Sequence, residues 1–384
     1  MTTQTGFSKR TVSPFRYDVV GSFLRPQALK VARAQVAAGT LDAAGLKAVE
    51  DREIIKLIQA QEAAGLKAVT DGEFRRSWWH LDFFWGLQGI AKKQLTQGYV
   101  FNAEETRAES ATVTGKISGE NHPFVAHFKF VKAHVKAGVQ VKQTLPAPAQ
   151  CLAELQRPEN IAALRQVYAT DAAAVKALAA AYHQVLEDLY AAGARTIQLD
   201  DCTWGMLAGN HTKGAETGAV SARNDAVLDQ NKQLYLTVNN EAIKDLPADL
   251  TINTHICRGN YHSTWASAGG YDSVADPLFN RENVSAYYLE YDSDRAGGFE
   301  PLKLVSDDKL VVLGLITSKS GELEDRQTII DRIHEAAKYV PLDRLCLSTQ
   351  CGFASTEEGN VLTPAQQWAK IELVKSIATE VWGA

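Results

Sequence analysis

No apolar run in the chain approaches the roughly 18 residues that a membrane-spanning helix needs, so a membrane protein is not expected. The start, MTTQTGFSKRTVSPF, is polar and lacks the apolar core of a secretory leader. Positive charge is not in excess: 40 Lys and Arg face 45 Asp and Glu, a net charge of −5. With no basic run either, a nucleic-acid partner is not expected. Cysteine is scarce and odd in number: Cys151, Cys202, Cys257, Cys346 and Cys351 in 384 residues. That excludes a disulfide framework and leaves buried thiols, ligands or nucleophiles. Low-complexity segments, Gly/Ser/Pro linkers and short repeats are also missing. A cytoplasmic globular protein with one elaborated domain over 1–384 is the expectation.

What the chain does have is alternation. Eight short apolar or β-branched runs stand at 18–23, 67–73, 139–146, 196–201, 250–257, 286–292, 310–319 and 344–350. Between most of them lie stretches with helical spacing, at 41–65, 159–192 (with a break near Thr170), 224–243, 324–339 and 363–382. Alternating β and α predicts parallel strands joined by crossover helices. Eight units predict a (β/α)8 TIM barrel; an open doubly wound sheet is the rival. The turn after the first run, VGSFLRP, lacks the G-x-G-x-x-G that would favour the rival. Positions at about 90–137 do not fit the repeat, and 96–118 reads as a β-hairpin inserted after the second strand.

In such a barrel the site lies at the C-terminal strand ends. Polar residues accumulate there: Gly21-Ser22, Asp71-Gly72-Glu73, Asp200-Asp201, His255-Ile256-Cys257, Glu290, Ser318-Lys319 and Cys351. His255 and Cys257, two apart on a strand, point to one face. Imidazole and thiolate suit zinc, with carboxylate as an accepted further ligand, which brings in Glu290 and Cys351. The alternative is a buried Cys beside a hydrogen-bonded His. Cys151 and Cys346 read as packing residues, and burial is also the favoured reading of Cys202. The segment from Glu73 to His80, EFRRSWWH, reads equally as a loop with chance charges or as a pocket wall of arginines and indoles.

Taken together, VGSFLRP, TDGEFRRSWWH, IQLDD, THICRGN, LEYD, LGLITSK and QCGFASTEEGN resemble the catalytic domain of cobalamin-independent methionine synthases, nearest the short single-domain branch. The resemblance runs nearly end to end. It implies a zinc-dependent methyltransferase with Zn2+ on His255, Cys257, Glu290 and Cys351. It implies homocysteine held by Gly21 and Ser22, with its ammonium on Glu73 and Asp200. Methyl transfer to the thiol would form methionine; the sequence leaves the donor open among a 5-methyltetrahydrofolate-type compound, which is favoured, methylcobalamin and other methyl compounds, and the aromatic segment that begins with Trp78 and Trp79 favours a pocket for a planar donor. The departures fall on the donor side. Lys319 stands where the full-length enzymes carry a proton-donating His, and Asp200-Asp201 replaces Asp-Glu-Pro. Lys319 is therefore a proton-donor candidate, the alternative being a pair with Glu322 or Glu324. Two rival functions are alkyl transfer to coenzyme M, with Arg75, Arg76 and Arg258 on the sulfonate, and zinc or homocysteine binding without turnover.

Overall fold

A computed structural model describes residues 6–102, 104–209 and 225–384. Its centre is a curled, all-parallel sheet of seven strands. In chain order the strands are β1 (Ala68–Val69), β2 (Gln88–Gln94), β3 (Glu109–Ser118), β4 (Gln140–Pro146), β5 (Thr196–Asp201), β6 (Thr251–Ile256), β7 (Ala286–Glu290), β8 (Leu310–Ile316) and β9 (Leu345–Thr349). The parallel sheet runs β1-β4-β5-β6-β7-β8-β9, while β2 and β3 pair separately and antiparallel. Strands β5 and β7 are buried along their whole length, as expected when side chains fill one face and helices cover the other. The layout is TIM-barrel-like.

The helices begin where capping chemistry places them. Asp42 accepts from the Gly45 N–H at the head of Ala43–Ala63. Thr170 accepts from the Ala173 N–H and starts Asp171–Ala191, separating it from Ile161–Val167. Thr363 and Gln366 form a reciprocal capping box before Pro364–Trp382. The helix expected over 224–243 is described as Asp225–Ile243, Asn224 lying outside the described residues. Among the described residues no helix is long and apolar enough to cross a membrane.

Three expectations need correction. First, 18–23 is not a regular strand. A parallel bridge ties Tyr17 to Leu347, and the Phe23 N–H reaches Gly72 O at 3.1 Å, so the segment lies between β9 and the end of β1. Three consecutive carbonyls within it are taken by side chains instead of a ladder: Val19 O by Lys142 Nζ, Val20 O by Gln198 Nε2 and Gly21 O by Thr70 Oγ1. Second, the run at 67–73 yields only the two residues of β1. The Gln61 amide both donates to Thr70 O (2.9 Å) and accepts from Thr70 N–H (3.0 Å), ending the ladder at Val69. Third, the antiparallel pair is not contained in 96–118. Its first strand, β2, precedes Thr96 and registers Lys92 on Ala111, leaving 95–108 as the connection.

Candidate metal and substrate site

His255 lies near the end of β6 and Cys257 two residues on; Glu290 closes β7; Cys351 follows β9. Each brings one donor atom, and all four atoms lie within 4.8 Å of one another, fully interior. The two thiols are 3.7 Å apart. His255 Nδ1 sits 3.2 Å from the Tyr288 carbonyl, which must accept its proton. In the neutral ring Nε2 then carries a lone pair, and it is buried with no protein partner in good hydrogen-bond geometry; burial works against the imidazolium, but the neighbouring Cys257, Asp200 and Glu290 outweigh it and raise the His255 pKa. Glu290 accepts from the Arg258 N–H at 2.8 Å and from Arg295 Nη2 at 3.2 Å. Burial pushes the Glu290 carboxyl up to about 7, with Cys257 adding to the shift. Hydrogen bonds from Cys202 and Cys351 hold the Cys257 thiol well below its ordinary value. An orphaned imidazole nitrogen, two converging thiols and a buried carboxylate, oriented by a backbone carbonyl and an arginine, form a donor set that fits a zinc-type cation.

The cluster opens on a cavity of about 530 Å³, whose wall includes His255, Cys257, Cys351, Ser22, Glu73 and Asp200. Gly21 has φ +148°, and a Cβ there would meet Thr144 Cγ2 at 2.6 Å, so only glycine brings the chain this close. Ser22 follows, with its carbonyl on the Phe353 N–H and its hydroxyl 3.3 Å from the Ala354 N–H. The turn beside Cys351 is thereby fastened to it. Glu73 adopts a left-handed φ of +62°. Its Oε1 accepts from Thr144 Oγ1 at 3.0 Å and pairs with Arg76 at 3.2 Å; its Oε2 is buried and unpartnered. Burial raises the Glu73 pKa. Asp200 keeps one short bond, from Gln198 Nε2 at 2.7 Å, and burial pushes it up to about 7. Asp201 points away, as alternation demands. It caps the Thr203 turn and accepts from Asn239 Nδ2, so it is absent from the cavity wall.

The donor-side candidates are placed less simply. Trp79 is half-buried on the wall. Trp78 also lines it but is 2% exposed, with Nε1 on Glu109 Oε2 at 2.6 Å and the Arg107 guanidinium 4.6 Å from its ring. Lys319 pairs with neither Glu322 nor Glu324. Its ammonium donates to Asn260 Oδ1 (2.8 Å), Gly259 O and Thr264 O (both 3.1 Å), while Glu324 binds Lys370. Three donors meet three acceptors, and Lys319 does not line the cavity. Cys202 does line it, where sequence reasoning favoured simple burial; Cys151 and Cys346 are fully buried. Arg75 is held by Glu50 and Asp51, and Arg258 by Gly269 O and Tyr271. Sequence reasoning missed Tyr99 and Glu154, which also line the cavity. No short motif marks them, because they lie in and beyond the irregular insert.

A family model described as the catalytic domain of cobalamin-independent synthase matches residues 15–369. An uncharacterized Bacillus subtilis protein, YxjH, is 43% identical over 375 residues, 97% of this chain and 96% of that protein. The methionine synthase of Saccharolobus solfataricus is 25% identical, with 87% of this chain and 86% of that one covered. Among solved structures, a Listeria monocytogenes protein assigned provisionally to the vitamin-B12 independent methionine synthases superimposes with a TM-score of 0.73. It shares 34% identity over 97% of this chain and 99% of its own.

Proposed function

The chain belongs to the family of the cobalamin-independent synthase catalytic domain, and from that premise we propose that it is a zinc-dependent methyltransferase acting on the homocysteine thiol to form methionine. The observation that carries this is the convergence on one cavity of the four-ligand cluster and two carboxylates, Glu73 and Asp200, of which Glu73 keeps an unpartnered oxygen. His255, Cys257, Glu290 and Cys351 would hold the metal. Bound there, zinc would present the substrate sulfur as a thiolate, a far better nucleophile than a thiol with its ordinary pKa near 8.5.

The rest of the work falls to the chain. Glu73 and Asp200 would accept hydrogen bonds from the substrate ammonium, which also supplies the charge that favours their ionised forms. Gly21 and Ser22 would bring backbone against the amino acid, since no side chain fits at Gly21. The new S–CH3 bond forms as the donor–CH3 bond breaks, and the electron pair leaves with the donor. A tetrahydrofolate-type donor then needs a proton on the departing nitrogen. In this reading Lys319 is not its source: its ammonium anchors the 259–264 loop. A closed barrel would use 18–23, the first run in the chain, as its remaining stave between β9 and β1, where Ser22 is bonded to the turn that follows Cys351.

Transfer to coenzyme M has less support, because the arginines it would use are committed to protein acceptors and the cavity carries acids. A site that only binds homocysteine would not need about 530 Å³, a volume in the range of larger ligands. The deciding experiment incubates zinc-loaded protein with homocysteine and a panel of methyl donors and measures methionine. Production from 5-methyltetrahydrofolate supports the full reading. Methylation of coenzyme M but not homocysteine, or of neither, refutes it.

A further inference from the structure

His80 lines the cavity, is 4% exposed, and has a buried Nδ1 with no hydrogen-bond partner. A chain of hydrogen bonds fixes what that nitrogen can offer. Asn160 Nδ2 donates to the Glu154 carbonyl (2.9 Å) and to Ser110 Oγ (2.8 Å). The carbonyl can only accept, so the amide orientation is set and Ser110 is an acceptor from Asn160. Ser110 must then direct its own proton at Glu154 Oε1. Tyr99 donates its phenol proton to Glu154 Oε2 at 2.7 Å. His80 Nε2 lies 3.1 Å from the same phenol oxygen, whose proton is already committed, so the imidazole is the donor there. Nε2 carries the hydrogen and Nδ1 a lone pair.

The surroundings keep the ring in that state. The Trp78 and Phe84 rings meet it edge-on at 5.8 and 5.6 Å, and the Trp79 ring lies 4.6 Å away, tilted by 32°. Burial, with the Arg157 charge adding, pushes His80 down to about 3, so it is neutral near pH 7. Glu154, across Tyr99 from His80, is held by Ser110, Tyr99 and Arg157.

We propose that His80 is a specificity residue for the methyl donor: its Nδ1 accepts a hydrogen bond from an edge N–H or O–H of a flat ring system seated against Trp79. This rests on the methyltransferase reading and adds a chemical class to it. A sulfonium or quaternary-amine donor offers nothing to Nδ1. Binding one would leave Nδ1 unpaired, as it is in the free protein, and so would forgo the hydrogen bond that a flat ring with an edge donor gains.

The test measures binding of 5-methyltetrahydrofolate by calorimetry to the zinc-loaded wild type, His80→Phe, His80→Asn and Tyr99→Phe, with zinc content and homocysteine affinity as controls. His80→Phe should weaken binding by about ten-fold or more, the effect of losing a buried hydrogen bond. His80→Asn, whose Oδ1 can stand near the Nδ1 position, should recover part of it. The controls should not change. In 15N-imidazole spectra His80 should be neutral and protonated on Nε2, and its Nδ1 signal should move when the folate binds. Tyr99→Phe removes one oxygen and should loosen the tautomer without removing the ring. Equal affinity of wild type and His80→Phe, or an Nδ1 signal unmoved by bound folate, overturns the inference. Failure of the wild type to bind the folate while it methylates homocysteine from a sulfonium overturns it too, and leaves the methyltransferase reading standing. Folate binding that depends on His80 without methylation of homocysteine does the reverse.

Discussion

Asp200 and His255 are register partners across β5 and β6, so a cavity-lining carboxylate and the imidazole of the His/Cys/Glu/Cys cluster emerge side by side at the same height of the sheet. A substrate with its sulfur on the cluster would thus carry its ammonium a short distance away, near Asp200 and Glu73. Replacing Glu73 by Gln or Asp200 by Asn should weaken homocysteine binding by about 1.5–3 kcal/mol, the range for a hydrogen bond to a charged group. Titration calorimetry should show this with zinc content unchanged. Asp201→Ala is the contrasting variant. It should leave homocysteine affinity alone and cost about 1–2 kcal/mol of folding stability, because Asp201 caps the Thr203 turn.

Zinc should bind one to one. Cys257→Ala and Cys351→Ala should each lose the metal, while Cys346→Ala, buried in the core, should keep it. Cys202→Ala should keep it as well, since Cys202 is outside the four-residue cluster. Elemental analysis after gel filtration reads the outcome, and full zinc in both of the first two variants would be fatal to the ligand assignment.

Lys319→Met separates anchoring from proton donation. Three oxygens on the 259–264 segment lose a charged donor. Stability in urea should fall by about 1–3 kcal/mol. Methyl transfer should slow alike for donors that need a proton on leaving and donors that do not. A loss confined to the proton-requiring donor, with unchanged stability, would restore Lys319 as the acid.

Glu282 provides a pH test away from the cavity. Asn239 Nδ2 donates to it at 2.8 Å and also to Asp201, and its other oxygen is buried without a partner. Burial, with Asp201 adding, pushes its carboxyl from 4.5 up to about 8. The folded state therefore favours the neutral acid. That preference stabilises fully below the unfolded value and is lost as pH rises toward about 8. Glu282→Gln cannot titrate. Its stability relative to wild type should improve between pH 5 and pH 8.5, by on the order of a few kcal/mol. Urea midpoints of both proteins at the two pH values measure it.

Much of this was legible in the sequence, for physical reasons that can be named. Helical and strand periods are local, so the β/α alternation and the break at Thr170 could be read directly. His255 and Cys257 share a face because side chains alternate along a strand, so half of the cluster is a local fact. Glu290 and Cys351 reach it only because the sheet curls, bringing β7 and the turn after β9 beside β6. The choice of Asp200 over Asp201 was decided by which face packs inward, as the bonds from Thr203 and Asn239 record. Where long-range side chains replace a ladder, local patterns mislead: Gln61 cuts β1 short, and Lys142, Gln198 and Thr70 hold 19–21. The same applies to Lys319, whose acceptors lie about sixty residues earlier in the chain. It applies equally to His80, whose tautomer depends on Tyr99, Glu154, Ser110 and Asn160, groups that only the tertiary fold assembles.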